Sequence, residues 1–361
     1  MKTICFVNSY ACIGGAEKSL QSLIQGFKNR NYNVVAIIGE DGALCDWLSE
    51  CNVSYKIIPQ PSLLSGLSRW MFPFNLLNFL VRALYFISCN NVDIIHVNTF
   101  RSRLYCACVR PFFRGRMIAH VRDIEISIVN KYMVKFYDYT IAISNAVAKT
   151  LIYRGSKIDT EKVKTIYNAV ECQAIPSVKK NHGPIHIGMF ARFDEWKCQH
   201  IFVRAAKKLC ETNSNLTFHI YGDAIRDSEV EYQNEVLSIV GNDENIICHG
   251  FVKDTVSEML KMDLIVCPSD NEPFGRVIIE AMALKKMVIA SNNGGAAEIL
   301  SGELSGLTFK PRDVNALINS IKVYINNKET QDEYYIPLLN MRYTMKFSLE
   351  RLLNEVEELY T

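Results

Sequence analysis

The sequence carries almost no net charge, with 40 Lys and Arg set against 38 Asp and Glu over 361 residues. Proline and glycine are sparse (10 and 18), and no stretch is dominated by them, by Ser or by Gln, which excludes a collagenous, low-complexity or disordered chain. No Cys-x-x-Cys pair occurs. The twelve cysteines lie scattered in apolar runs, as at Cys5, Cys248 and Cys267, the pattern of reduced core thiols in a cytosolic protein. An uninterrupted membrane-length apolar run is also missing. The nearest, Phe72–Cys89, is broken by Asn75, Asn78, Arg82 and Tyr85, whose spacings make one polar stripe on a helix. The expectation there is a core helix with one wet face, contact with a membrane surface being the alternative. The apolar run behind Met1 stops at Asn8, too short for a secretion signal, so the expected location is cytoplasmic.

What is present is 49% hydrophobic residues over a length that suits two domains. Short β-branched runs alternate with amphipathic stretches. Strands are expected at 3–9, 33–39, 54–59, 93–99, 117–123, 139–144 and 163–168. After a polar stretch at 177–184 they resume at 185–192, 216–222, 246–252, 264–269 and 287–291. Near-continuous apolar strands separated by helices mean parallel sheets covered on both faces, so the fold class is α/β, doubly wound twice. The expected domains are 1–180 and 181–330, followed by a helical segment 331–361. Ligands of such sheets bind at the carboxyl ends of the strands, and two of them would enclose a cleft.

Three segments carry chemistry. The first strand empties into ACIGGAEKSL, where Gly14 and Gly15 could bring helix amides to a phosphate or simply make a tight turn. The dinucleotide fingerprint and the P-loop pattern are both absent. In DNEPFGRVIIEAMALKK, Pro273 suits a helix start, placing Glu272 in the loop before it and Glu280 two turns in among apolar neighbours. Burying that carboxylate requires hydrogen-bond donors, which a ligand rich in hydroxyls or an internal base would supply. The amides of Phe274, Gly275, Arg276 and Val277 at the helix start suit sugar or phosphate oxygens. In MFARFDEWKCQH, Arg192 ends a strand and Lys197 precedes a helix, two cations able to neutralise a diphosphate leaving group.

Taken together, GGAEKSL, the Arg-x4-Lys pair, HGFV, and EPFGRVIIEAMA followed by SNNGGAAEIL resemble the retaining glycosyltransferases of family 4, whose hallmark Glu-x7-Glu is matched by Glu272 and Glu280. The resemblance spans residues 3 to about 325. It implies the GT-B fold, two Rossmann-like domains facing across a cleft, and no cofactor. By that resemblance Arg192 and Lys197 hold the donor's diphosphate, Glu280 the ribose, and the backbone at Phe251 and Val252 the base. Glu272 and the amides of Phe274 to Val277 hold the transferred sugar, Gly15 approaches the phosphate, and His120 lies beside the anomeric carbon. Asp123 would orient His120 or touch the acceptor, and Asn168 and Ser144 would line the cleft. Two departures from the family pattern are Cys198 and Ala224, where glycine is usual.

The implied reaction transfers a sugar from a nucleotide diphosphate, a UDP-sugar in the simplest case, to an acceptor hydroxyl with retention. No Asp-x-Asp occurs, so no metal is expected at the diphosphate and the catalytic set is His120, Glu272, Arg192 and Lys197. A sugar nucleotide 2-epimerase of the same fold and a non-enzymatic basic binding module are the alternatives; nucleic acid is not an expected partner. Charge divides unevenly, with 22 basic and 12 acidic residues in 1–180 against 18 and 26 in 181–361. The basic half, with Arg101, Arg103, Arg110, Arg114, Arg116 and Arg122, is expected to receive a glycan or lipid-linked glycan at an anionic membrane surface.

Overall fold

A computed structural model describes residues 1–61, 71–124, 128–152, 160–171 and 183–361. The chain forms two compact units, Met1–Asn168 with Leu349–Thr361, and Ala169–Ser348. The expected break at residue 180 lies outside the described residues, and the chain changes unit earlier, after Asn168.

The first unit is a seven-stranded parallel sheet. In chain order its strands are β1 (Thr3–Asn8), β2 (Asn33–Ile38), β3 (Ser54–Ile57), β4 (Ile94–Val97), β5 (Arg116–Val121), β6 (Tyr139–Ala142) and β7 (Val163–Thr165). Their spatial order is β3-β2-β1-β4-β5-β6-β7. β1 and β4 are buried along their whole length, which is why they read as continuous apolar runs. The order reverses between β1 and β4, so the loops leaving these two strands diverge and open a crevice at their carboxyl ends.

The second unit repeats the scheme with β8 (Ile185–Phe190), β9 (Leu216–Tyr221), β10 (Ile246–Gly250), β11 (Leu264–Cys267), β12 (Met287–Ser291) and β13 (Thr308–Phe309), ordered β10-β9-β8-β11-β12-β13 and all parallel. The reversal falls between β8 and β11. The two-residue β13 is too short for periodicity to mark.

The C-terminal residues are helical, as two helices. The segment 331–361 is not one body: Lys328–Lys346 belongs to the second unit, and Leu349–Glu358 packs on the first. There Leu353 sits so close to Gly26 that a Cβ on Gly26 would meet its methyl at 2.5 Å. Arg30 bonds Glu350 at 2.6 Å and Glu357 at 2.5 Å, the Tyr32 hydroxyl donates to Glu357 at 2.7 Å, and Tyr360 packs on Phe27.

The helix Phe72–Cys89 buries Phe79, Ala83 and Ile87 in the core over Val7, Val35 and Val97, and its open face carries two of the four expected polar-stripe residues, Asn78 and Tyr85, beside apolar ones. Phe74, Leu77, Val81 and Tyr85 are 72%, 59%, 59% and 74% exposed. Asn75 and Arg82 are half-buried on the flank, with Arg82 donating to the Ile57 carbonyl at 3.0 Å. The core sets the rotation, so the polar stripe lies partly on the open face and partly on its flank.

Candidate functional site

In the second unit the loops after β8 and β11 meet at the reversal point. The first carries Arg192 and Lys197, the second Ser269 to Gly275. Lys197 Nζ donates to Glu272 Oε2 at 2.7 Å, both side chains being largely buried, and Lys197 also sits 3.9 Å above the Trp196 ring. A carboxylate removed from water needs such a partner. The ammonium and carboxylate therefore lie side by side where strand ends gather ligands, one suited to an anion and the other to hydroxyls.

The helix that follows spans Arg276–Ala283, not the stretch from Pro273, because Gly275 is left-handed (φ +105°) and starts it three residues late. Glu280 consequently lies little more than one turn in. It is half-buried and accepts from Arg276 Nε at 2.7 Å, so an internal base answers the need for a donor. Phe274 and Gly275 are in the loop, and Arg276 and Val277 form the first turn of the helix.

Arg192 does not converge with Lys197 on one partner. Its Nη2 lies 3.1 Å from Asp194 Oδ2 and its Nε 3.8 Å from the buried Glu229. Its carbonyl accepts from the buried Gln199 at 2.7 Å, which fixes the backbone of the loop. Phe251 is exposed and Val252 half-buried just past β10.

The sequence motif SNNGG proves to be the clamp that holds Glu272. A Cβ on Gly294 would lie 2.3 Å from the Glu272 carbonyl oxygen, and one on Gly295 would lie 2.5 Å from Phe274 Cα. The Gly295 amide donates to the Glu272 carbonyl at 2.7 Å. Beneath it, Asp270 accepts from Asn293 at 2.7 Å and from Arg312, whose guanidinium holds the Asp270 carboxyl below its usual range. Spacing alone did not expose Asp270, Asn293 and Arg312, since they come from three separate segments.

The first unit is built around a polar cluster at the β1 and β4 ends. Gly14 and Gly15 are exposed at the start of the helix Gly15–Asn29, and the Gly14 amide donates to the buried Glu17 at 3.1 Å. Asn98 donates to Asn8 at 2.9 Å, and Arg122 donates to Asn98 at 2.7 Å and to Asn168 at 2.8 Å. His120, at 1% exposure, lies 3.1 Å from His96 and 3.4 Å from Arg122. Burial first, then the Arg122 charge, push its pKa well below the ordinary 6.5. Ser144 accepts from the Val147 amide as a helix cap, and Asp123 is exposed.

The expected basic face is dispersed. Arg103 and Arg122 are buried, Arg110 pairs with Asp138 at 3.1 Å, Arg101 bonds Gln60 and Tyr10, and Arg116 bonds the Thr361 carbonyl. Only Arg114 of the six is exposed. Arginines close in sequence point apart because strand, helix and loop positions alternate over that stretch.

Comparison with known proteins agrees with this architecture. The model for Glycosyltransferase Family 4 matches residues 13–174, and that for glycosyl transferases group 1 matches residues 173–335. An uncharacterised glycosyltransferase of Methanocaldococcus jannaschii is 24% identical over 97% of this chain and 95% of its own. A Campylobacter jejuni enzyme, N-acetylgalactosamine-N,N'-diacetylbacillosaminyl-diphospho-undecaprenol 4-alpha-N-acetylgalactosaminyltransferase, is 21% identical over 89% of each chain. The crystal structure of Anabaena HepE in complex with UDP and glucose superposes with a TM-score of 0.82 at 23% identity, over 99% of each chain. The two family models together cover both units, and the chain belongs to the glycosyltransferases of the GT-B fold.

Proposed function

We propose that the protein is a retaining, metal-independent glycosyltransferase that moves a sugar from a UDP-sugar to a lipid-linked glycan. The observation that carries this reading is the Lys197–Glu272 pair, held at the β8/β11 reversal with Arg276–Glu280 one turn away. In this reading the donor diphosphate takes Lys197 and Arg192 as counter-charges, replacing their carboxylate partners. Glu272, released, accepts from the sugar hydroxyls, and Glu280 accepts from the ribose. The backbone of Phe251 and Val252 meets the base, and Gly15 and His120 supply groups from the first unit. The bond between the anomeric carbon and the phosphate oxygen breaks as the acceptor oxygen attacks the same face. The departing diphosphate takes the acceptor proton, and the two cations stabilise its charge. The HepE complex with UDP and the diphospho-undecaprenol substrate in the Campylobacter enzyme's name support the choice of donor and acceptor.

Calorimetry with UDP-glucose and turnover with a polyprenyl-diphosphate glycan test the site. Glu280→Ala is expected to weaken donor binding about tenfold, the loss of a charged hydrogen bond. Lys197→Ala is expected to lower turnover by about a hundredfold or more. Wild-type behaviour in both variants would remove the site assignment. EDTA is expected to leave turnover intact; loss restored by Mn²⁺ would overturn the metal-free mechanism. An epimer formed from the donor without acceptor would instead favour an epimerase.

A lipid-linked substrate calls for a membrane-facing surface, and the open face of Phe72–Cys89 suits one. Its exposed Phe74, Leu77, Val81 and Tyr85 form an apolar stripe. Between Glu50 and Asp123 the one acidic side chain is Asp93, so anionic headgroups meet little repulsion there.

A further inference from the structure

Three side chains of the first unit form a hydrogen-bonded line. The Tyr360 hydroxyl lies 2.6 Å from His96 Nδ1, and His96 Nε2 lies 3.1 Å from His120 Nδ1. All three residues are buried. Such a line can donate in either direction, but Arg122 closes one of them. Its Nη2 lies 3.4 Å from His120 Nδ1, and a guanidinium only donates. His120 Nδ1 is therefore an acceptor. His96 must then donate from Nε2 and accept at Nδ1, which leaves Tyr360 as the donor at the head of the line. A neutral imidazole has a single N–H, so that of His120 sits on Nε2. This nitrogen is buried and has no hydrogen-bond partner among the described residues. Burial keeps both rings neutral, His96 being pushed down to about 3 and His120 well below 6.5.

We propose that Tyr360 and His96 are positioning residues that hold His120 in its Nε2–H tautomer, so that it offers a buried N–H to a hydroxyl or phosphoryl oxygen of the sugar nucleotide. The ligand half rests on the transferase reading; the tautomer half does not. A buried donor without an acceptor is costly, and an oxygen that takes its proton in a hydrogen bond relieves that cost. The same tautomer removes one role from His120. With no lone pair on Nε2, it is a donor to the ligand and not the base that takes the acceptor's proton.

Long-range ¹H–¹⁵N NMR on protein labelled at histidine reads the tautomer without substrate. The expected spectrum of the free wild type at neutral pH has His120 protonated at Nε2 and bare at Nδ1; the reverse overturns the proposal. Tyr360→Phe keeps the ring against Phe27 and removes the hydroxyl. It is expected to give mixed tautomers at His96 and His120 and to lower kcat/KM about tenfold, one hydrogen bond's worth. Unchanged tautomers in this variant overturn the relay. His96→Gln, able to accept from Tyr360 and donate to His120, is expected to retain activity that His96→Leu loses; equal loss in both overturns the positioning role. If Tyr360→Phe does not fold, the wild-type spectrum decides. On adding UDP-glucose the His120 Nε2–H signal is expected to shift. Binding without that shift overturns the ligand half. No binding at all overturns the transferase reading, while the tautomer result stands.

Discussion

Cys198 stands where the resemblance to family 4 leads one to expect glycine. It follows Lys197, is fully buried, and sits at φ +60°, ψ 39°, the left-handed region that a side chain with a Cβ enters at about 1–2 kcal/mol. A glycine here would have a conformational reason, since it enters this region without a Cβ penalty. Cys198→Gly removes the strain but loses buried contacts and frees the unfolded chain, so its net effect is expected to stay within about 1 kcal/mol. Cys198→Val puts a β-branched side chain into the same conformation and is expected to destabilise by about 2 kcal/mol or more. Urea midpoints compare the two, and equal losses would show that packing rather than backbone governs the position. At this scale Glu272 and Glu280 were legible because their spacing within one segment is local. The partners that hold them were only partly so. Arg276 lies four residues from Glu280 and could be read as a helix pair, whereas Gly294, Gly295, Asn293 and Arg312 reach the Glu272 loop only through the fold.

Among the elements, the helix Phe72–Cys89 makes the clearest commitment. A stripe of Phe74, Leu77, Val81 and Tyr85 left in water has no stabilising role in the folded chain, since Phe79, Ala83 and Ile87 already form the packed side. Phe74→Glu with Val81→Glu is expected to abolish co-sedimentation with phosphatidylglycerol vesicles while leaving the melting temperature within a few degrees, because neither position contributes to the core. Retained vesicle binding in the double variant, or no binding by the wild type, would return the stripe to an ordinary surface. Strand positions were read to within two or three residues, since buried parallel strands are marked by their own composition. The helix's rotation was read only in part, because Asn78 and Tyr85 face out as the polar stripe predicted, while the core turns Asn75 and Arg82 to the flank and leaves Phe74, Leu77 and Val81 open. The arginines of 101–122 misled for a related reason: adjacency in sequence says nothing about which of them strand packing turns inward.

For the whole molecule, buried histidines tie stability to pH. His96 is lowered to about 3 by burial, and then by the Arg122 charge; His120 lies well below 6.5 for the same reasons. In the unfolded chain both titrate near 6.5, so below that pH the unfolded state binds protons that the folded state refuses. Stability is therefore fully present above about 6.5 and falls as the pH drops from there toward 3. The slope is about 1.4 kcal/mol per pH unit for each of the two. Urea unfolding at stepwise lower pH checks this, and His96→Gln is expected to flatten the profile by one such contribution. An unchanged slope would mean that His96 is not kept neutral in the folded protein.

The return of Leu349–Glu358 to the first unit sets an order of events during synthesis. A polypeptide leaves the ribosome from its amino end, and domains generally fold as units as they emerge. The seven strands of the first unit all precede Asn168, yet the helix over Gly26 and the Tyr360 hydroxyl that reaches His96 come after the whole of the second unit has been made. During translation the second unit can close while the first still waits for the helix Leu349–Glu358. The hydroxyl that fixes His120 is thus made only after the whole of the second unit, so the chain acquires its histidine line only once translation has passed these residues.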